Sequence, residues 1–163
     1  MKVGTYCVGT YNNICSVVVG SVHELVFPPI CYLSRKEDHE LLACTEYLQR
    51  KTKFAADQLG LSEDFCIPLP AAVVELASLD QRTTPLDRMT CIYDTVQQVG
   101  VHIRRAVMEA HADSDTVDDL PYPDDREMVL LLATVIVNAR PKHLLSTLNY
   151  ADLFAWAVPS DMM

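Results

Sequence analysis

Glycine is scarce here. The five glycines are scattered and form neither a G-x-G-x-x-G turn nor a lysine-terminated loop, so the chain lacks the backbone cradle that holds a nucleotide phosphate. Cysteine is present at six positions, Cys7, Cys15, Cys31, Cys44, Cys66 and Cys91, but without any C-x-x-C pair, and the five histidines are equally dispersed. Neither structural nor catalytic zinc spacing is met, and no metal and no cofactor is expected. Most of these cysteines lie inside apolar periodic segments and read as small buried hydrophobes, as suits a reducing cytosol. Basic charge is also short, with 13 lysines and arginines against 22 acids and a net charge of −9. A nucleic-acid backbone or an anionic membrane surface is repelled on average, so nucleic acid is not an expected partner. The basic clusters at 50–53 (RKTK) and 102–105 (HIRR) read as solvated helix faces. Long hydrophobic runs are missing too. The longest, Met128 to Val137, is about half of what crossing a bilayer requires. Residues 14–19 (ICSVVV) are too short, and too weakly charged upstream, for a secretory signal. The expectation is a soluble cytosolic protein that reaches any membrane through a partner rather than by inserting into it.

What is present is helical periodicity. At 163 residues, half of them apolar, the chain is long enough for one domain that buries roughly 70% of its unfolded surface. From Asn13 to Phe27 the apolar residues Ile14, Val17, Val18, Val22, Leu25 and Val26 recur at threes and fours, which predicts a helix ended by Pro28 and Pro29. Ser34 with Glu37 has capping-box spacing, and a long amphipathic helix carrying Leu41, Leu42, Cys44, Tyr47 and Leu48 is predicted to run to Gly60. A short helix over AAVVELASL follows. Thr84, Pro85 and Asp87 then mark the start of another, with Leu86, Met89, Ile92, Tyr93 and Val96 as its buried stripe. Residues 111–125 (HADSDTVDDLPYPDD) read as an exposed acidic loop. Asp124 and Glu127 have capping-box spacing before the apolar helix that ends near Arg140, and a proline-marked turn leads to a last helix burying Leu144, Leu148, Tyr150 and Phe154. No alternating strand pattern competes. The fold class is therefore all-α, a layered bundle of about six helices in one domain, with residues 1–12 as an extension, 13–156 as the domain and 157–163 as a tail.

Little in this pattern announces bond-making chemistry. Cys91 with His102, or Cys66 with His143, could be assembled into a nucleophile pair, but free cysteines in apolar surroundings read as structural. The acids of DDLPYPDDRE are different in kind. A carboxylate at a helix N-terminus is held in a fixed direction and can be presented to a partner's cation, although capping and solvation account for it as simply.

Two blocks carry a family resemblance. Pro141, Leu144, Ser146, Leu148, Tyr150 and Phe154 in PKHLLSTLNYADLF resemble the helix–turn–helix signature of the vacuolar-protein-sorting-nine (Vps-nine) domain, approximately P-P-x-L-x-S-x-I-x-Y-I-x-x-F. Residues 79–94, LDQRTTPLDRMTCIYD, resemble the same family's P-x-D-K-L-x-C-I segment through Pro85, Asp87, Arg88, Met89, Cys91 and Ile92. With a weaker match at SVHELVF, the resemblance spans roughly residues 13–156. It implies a guanine nucleotide exchange factor for Rab-five-type small GTPases, cytoplasmic and peripherally recruited to early endosomes. It also implies a partner-binding face along the late helices, where Asp124, Arg126, Leu130 and Pro141 fall. The family uses an aspartate at the start of the long apolar helix to compete with phosphate and magnesium for the GTPase's P-loop lysine. Such exchange makes and breaks no covalent bond.

The departures from the family pattern are specific. Counted back from Pro141 without gaps, the family's paired aspartates fall on Arg126 and Glu127. A one-residue shift presents Asp125 instead, and an insertion brings Asp118 and Asp119 of VDDL into the role, so Asp125, Glu127, Asp119 and Asp118 are all candidates for the active carboxylate. The family's proline one turn into that helix is Leu130 here. None of the seven tyrosines occupies the position of the family's G-Y-x-x-T/S segment, which belongs to helices beyond AWAVPSDMM. Arg126 favours a different class of function, a catalytically inactive Rab-binding or scaffold module. An unrelated helical adaptor matching by chance is the third reading, and two blocks lying apart in the fold would support it.

Overall fold

A computed structural model describes residues 3–52, 60–111 and 121–154, and among them there are six α-helices and no strand. They are α1 (Val3–Leu33), α2 (Arg35–Thr52), α3 (Pro70–Ala77), α4 (Pro85–Ala110), α5 (Asp125–Ala139) and α6 (Leu144–Leu153), with 3-10 turns at Glu63–Phe65 and Leu79–Gln81. The all-α bundle expected from the periodicity is the fold observed. α4 runs through its centre. It packs on α3 and α6, α5 lies against α2 and α3, and α1 lies across α6.

The starts of α4 and α5 follow their sequence signals, whereas the expected Ser34–Glu37 box at α2 is replaced by a bond from Asn149 to the Ser34 hydroxyl. Thr84 Oγ1 accepts from the Asp87 N–H at 3.0 Å, with Pro85 in the first turn of α4. Asp124 Oδ1 accepts from the Glu127 N–H at 2.7 Å while Glu127 Oε2 accepts from the Asp124 N–H at 3.1 Å, a complete capping box for α5. α5 stops where Arg140 enters the left-handed region at φ 49°, and buried Pro141 follows. The chain then turns by 116° into α6.

α1 departs from expectation. It begins at Val3, ahead of Asn13, and continues through Pro28 and Pro29 to Leu33. Phe27 and Ile30, one turn apart, are both buried with Tyr150 in one cluster, which requires the helix to persist past the prolines. The missing proline N–H groups would have served the carbonyls of Glu24 and Leu25, and these residues and both prolines lie on the exposed face, where water can take the freed acceptors. Val17, Val18 and Leu25, expected inside, are also exposed there. On the opposite side Gly20 lets α1 approach α4 closely, since a Cβ at this position would lie 3.3 Å from Thr84 Cγ2.

α2 follows after the single residue Ser34, and the expected stop at Gly60 sits at φ 73°, beyond residues 53–59, which lie outside the described residues. The Ser34 hydroxyl accepts from Asn149 Nδ2 at 2.8 Å, tying the α1–α2 junction to α6. Tyr47, expected on the buried stripe of α2, is exposed.

The main apolar cluster joins Leu61, Phe65, Leu69, Leu76 and Leu79 to Cys91, Val99, Ile103 and Val107 of α4 and Leu131 and Val135 of α5. The buried stripe of α4 is thus Arg88, Cys91, Thr95, Val99, Ile103 and Val107 rather than the one expected, and Tyr93 and Val96 face outward. Leu148 is likewise largely exposed, whereas Tyr150 is fully buried.

Candidate functional site

Two regions gather polar chemistry, the interior around α6 and the outer edge at the start of α5. In the first, the turn after α5 is gripped by two carboxylates from distant elements. Asp80, in the turn before α4, accepts from the Lys142 N–H at 2.9 Å and from His143 Nδ1 at 3.0 Å. Asp38 of α2, buried, accepts from the Leu145 N–H at 2.8 Å, from the Ser146 N–H at 3.4 Å and from the Ser146 hydroxyl at short range. His143, the residue before α6, makes no side-chain cap, so Asp38 supplies from another helix the acceptor that the first turn of α6 needs.

Beneath this turn Arg88 is buried, donates to Thr147 Oγ1 at 2.7 Å and lies 3.9 Å over the Phe27 ring. Its Nε has no hydrogen-bond partner and no carboxylate lies within salt-bridge distance among the described residues. Phe27 also stacks on His23 at 5.0 Å and meets Tyr150 at 5.1 Å, and Tyr150 meets Phe154 at 5.2 Å. The Tyr150 hydroxyl lies 3.3 Å from His23 Nδ1. Burial, and then the Arg88 charge, hold the His23 pKa below its ordinary 6.5. The folded protein therefore keeps His23 neutral while the unfolded chain takes up a proton as the pH falls through that value, so stability should decline from about pH 6.5 downward. Denaturation midpoints measured at pH 7.5 and 5.5 should differ less in His23→Gln than in the parent chain. An equal difference in both would remove His23 as the cause.

In the second region the candidates separate by what each one touches. Asp124 is occupied as the cap of α5. Glu127 accepts from the Ser62 hydroxyl at 2.5 Å as well as from Asp124, and these bonds, the Ser62 one foremost, hold its pKa below the usual carboxylate range. Asp125 is exposed at the first position of α5 and makes no hydrogen bond or ion pair among the described residues. Arg126 is exposed beside it. Val129, one turn along the same face, and Tyr122, just before the helix, are 64% and 66% exposed, so the free carboxylate is flanked by apolar surface. The bond between Ser62 and Glu127, 65 positions apart, also brings exposed Glu63 and Asp64 to this edge.

Leu130 is half-buried against the main cluster and Pro141 is buried. Both expected partner contacts therefore face the interior, where they set the position of α5 and its turn. Asp118 and Asp119 lie outside the described residues.

Cys91 is no nucleophile in this setting. It is buried with its thiol directed to the Glu75 carbonyl at 3.2 Å, and burial pushes its pKa up. Among the described residues no three histidine, cysteine or acidic side chains gather as metal ligands. No single helix among them is long and apolar enough to cross a membrane. The residues that sequence reasoning missed are Asp38, Asp80 and Ser62, polar groups whose partners are distant in sequence.

No family model matches this chain, and neither does any curated protein or solved structure. The Vps-nine resemblance therefore rests on the residues of the two sequence blocks alone.

Proposed function

We propose that the chain binds a Rab-five-like small GTPase through the outward face at the start of α5 and promotes GDP release, with Asp125 as the carboxylate offered to the nucleotide site. The observation that carries this reading is the contact between the two resembling blocks. They are joined by the bond between Arg88 and Thr147, 59 positions apart, and by both bonds of Asp80 to the turn at Lys142 and His143. A chance match of two unrelated segments gives no reason for such a clasp. The start of α5, at the other end of that helix from the clasp, offers the groups on which such exchange would draw. Asp125 is free, directed by a rigid capped helix and bordered by Tyr122 and Val129, and a carboxylate so placed competes with phosphate for a P-loop lysine. The surrounding acids favour a basic approach and predict association that weakens with salt. The site of action is the early endosome, reached through a partner.

Arg126 supports a second reading, a Rab-binding module without exchange activity. It stands exposed at the position the family gives to aspartate, where it repels the same lysine. Rates of nucleotide release separate the two. Asp125→Ala should slow stimulated release by about ten-fold or more, on the order of 1.4 kcal/mol in the barrier, with unchanged folding stability. Arg126→Asp should raise it. Binding retained with no effect of either substitution favours the module that only binds. Asp124→Ala should behave differently, lowering stability by about 1 kcal/mol through loss of the cap, as read by chemical denaturation.

A further inference from the structure

Next to the clasped turn, a groove of about 370 Å³ opens between the α1–α2 junction and residues 142–143. That volume suits a small ligand. In a chain of net charge −9 its lining is of the opposite sign. Arg35 and His39 from α2 face Lys142 and His143 from the turn, with Cys31 and Tyr32 along the wall. Arg35 lies over the Tyr32 ring at 5.8 Å, and neither Arg35 nor Lys142 forms an ion pair among the described residues. The one carboxylate in the lining, Asp38, is buried and has both oxygens engaged by the start of α6. Asp80 holds His143 Nδ1, which fixes the ring that borders the groove.

A third positive charge lies behind the wall. Arg88, 2% exposed and without a contacting carboxylate, acts on the Cys31 thiol from behind, where the Asp38 and Asp80 carboxylates act in the opposite sense. A desolvated guanidinium is screened weakly, so its field extends toward that wall. Two unpaired surface cations and two imidazoles thus line one small cavity, with a buried cation behind its wall, in a molecule whose net charge disfavours anions on average. We propose that this groove binds a dianionic phosphate monoester, with Arg35 and Lys142 making the direct contacts and His39 adding a donor.

The test is a titration of the full chain with inositol monophosphate and with inorganic phosphate, in phosphate-free buffer at constant ionic strength, followed by amide chemical shifts. Saturable shifts confined to residues near 31–42 and 140–145 are expected. Arg35→Gln combined with Lys142→Gln should weaken binding by about ten-fold or more without changing the thermal midpoint, since both side chains are exposed. Arg50→Gln combined with Arg105→Gln removes the same charge from surface pairs elsewhere and should leave binding unchanged. Co-sedimentation with vesicles carrying phosphatidylinositol monophosphate would identify a lipid headgroup as the source. Saturable soluble binding without sedimentation would identify a free phosphate compound. The proposal is overturned if neither soluble probe gives saturable shifts, if the groove variant binds like the parent, or if both double variants weaken binding equally.

Discussion

Asp38→Ala should be the most damaging single substitution in the polar interior, lowering stability by about 3 kcal/mol or more. Its carboxylate accepts from three donors at the start of α6, the N–H groups of Leu145 and Ser146 and the Ser146 hydroxyl, and Ser146 is fully buried. Each buried donor left unpaired costs about 1 to 3 kcal/mol. Asp38→Asn, which keeps an acceptor at one position, should lose less than half as much. Urea denaturation of the two variants checks the ordering. A loss below about 1 kcal/mol for the alanine variant would show that water or a rearranged side chain replaces the carboxylate.

Tyr150→Ala should cost about 2 to 4 kcal/mol, as the removal of a fully buried aromatic does. Its ring is the meeting point of Phe27 from α1, His23 one turn before it, and Phe154 at the end of α6, so the cavity would lie where α1 docks on α6. Tyr150→Phe keeps the packing and loses only the His23 contact, for about 1 kcal/mol. Tyr150 is thus structural. Retained thermal stability in the alanine variant together with lost GTPase binding would contradict that role.

Where local chemistry decides the structure, the sequence was a good guide. The caps at Thr84 and Asp124, the stop at Arg140 and the turn at Pro141 depend on residues within a few positions of one another, and each forms as its spacing predicts. The end of α1 was not legible, because the burial of Phe27 and Ile30 against a residue more than a hundred positions away outweighs two prolines. The buried stripe of α4 was misread for a related reason. Arg88 and Thr95 belong to it, and polar residues in the interior break the apolar period by which a buried face is recognised. The edge at α5 was half legible. Its cap and its free aspartate follow from the order of residues 124–127, whereas the burial of Pro141 and the arrival of Ser62 at Glu127 depend on tertiary packing. The basic groove had no local signature at all. Arg35 and Lys142 come from separate helical regions, while in the conspicuous clusters the described Arg50 pairs with Glu46 and Arg105 with Glu109 along their own helices.

The central claim concerns a small GTPase, and release of a fluorescent GDP analogue tests it most directly. Rab-five-type and unrelated Rab GTPases, loaded with the analogue and magnesium, are mixed with excess GTP with and without this chain. Faster release from Rab-five-type proteins, proportional to the concentration of the chain and reduced by salt, is the predicted result. Release curves that overlay the protein-free control for every Rab would contradict the exchange activity proposed for this fold.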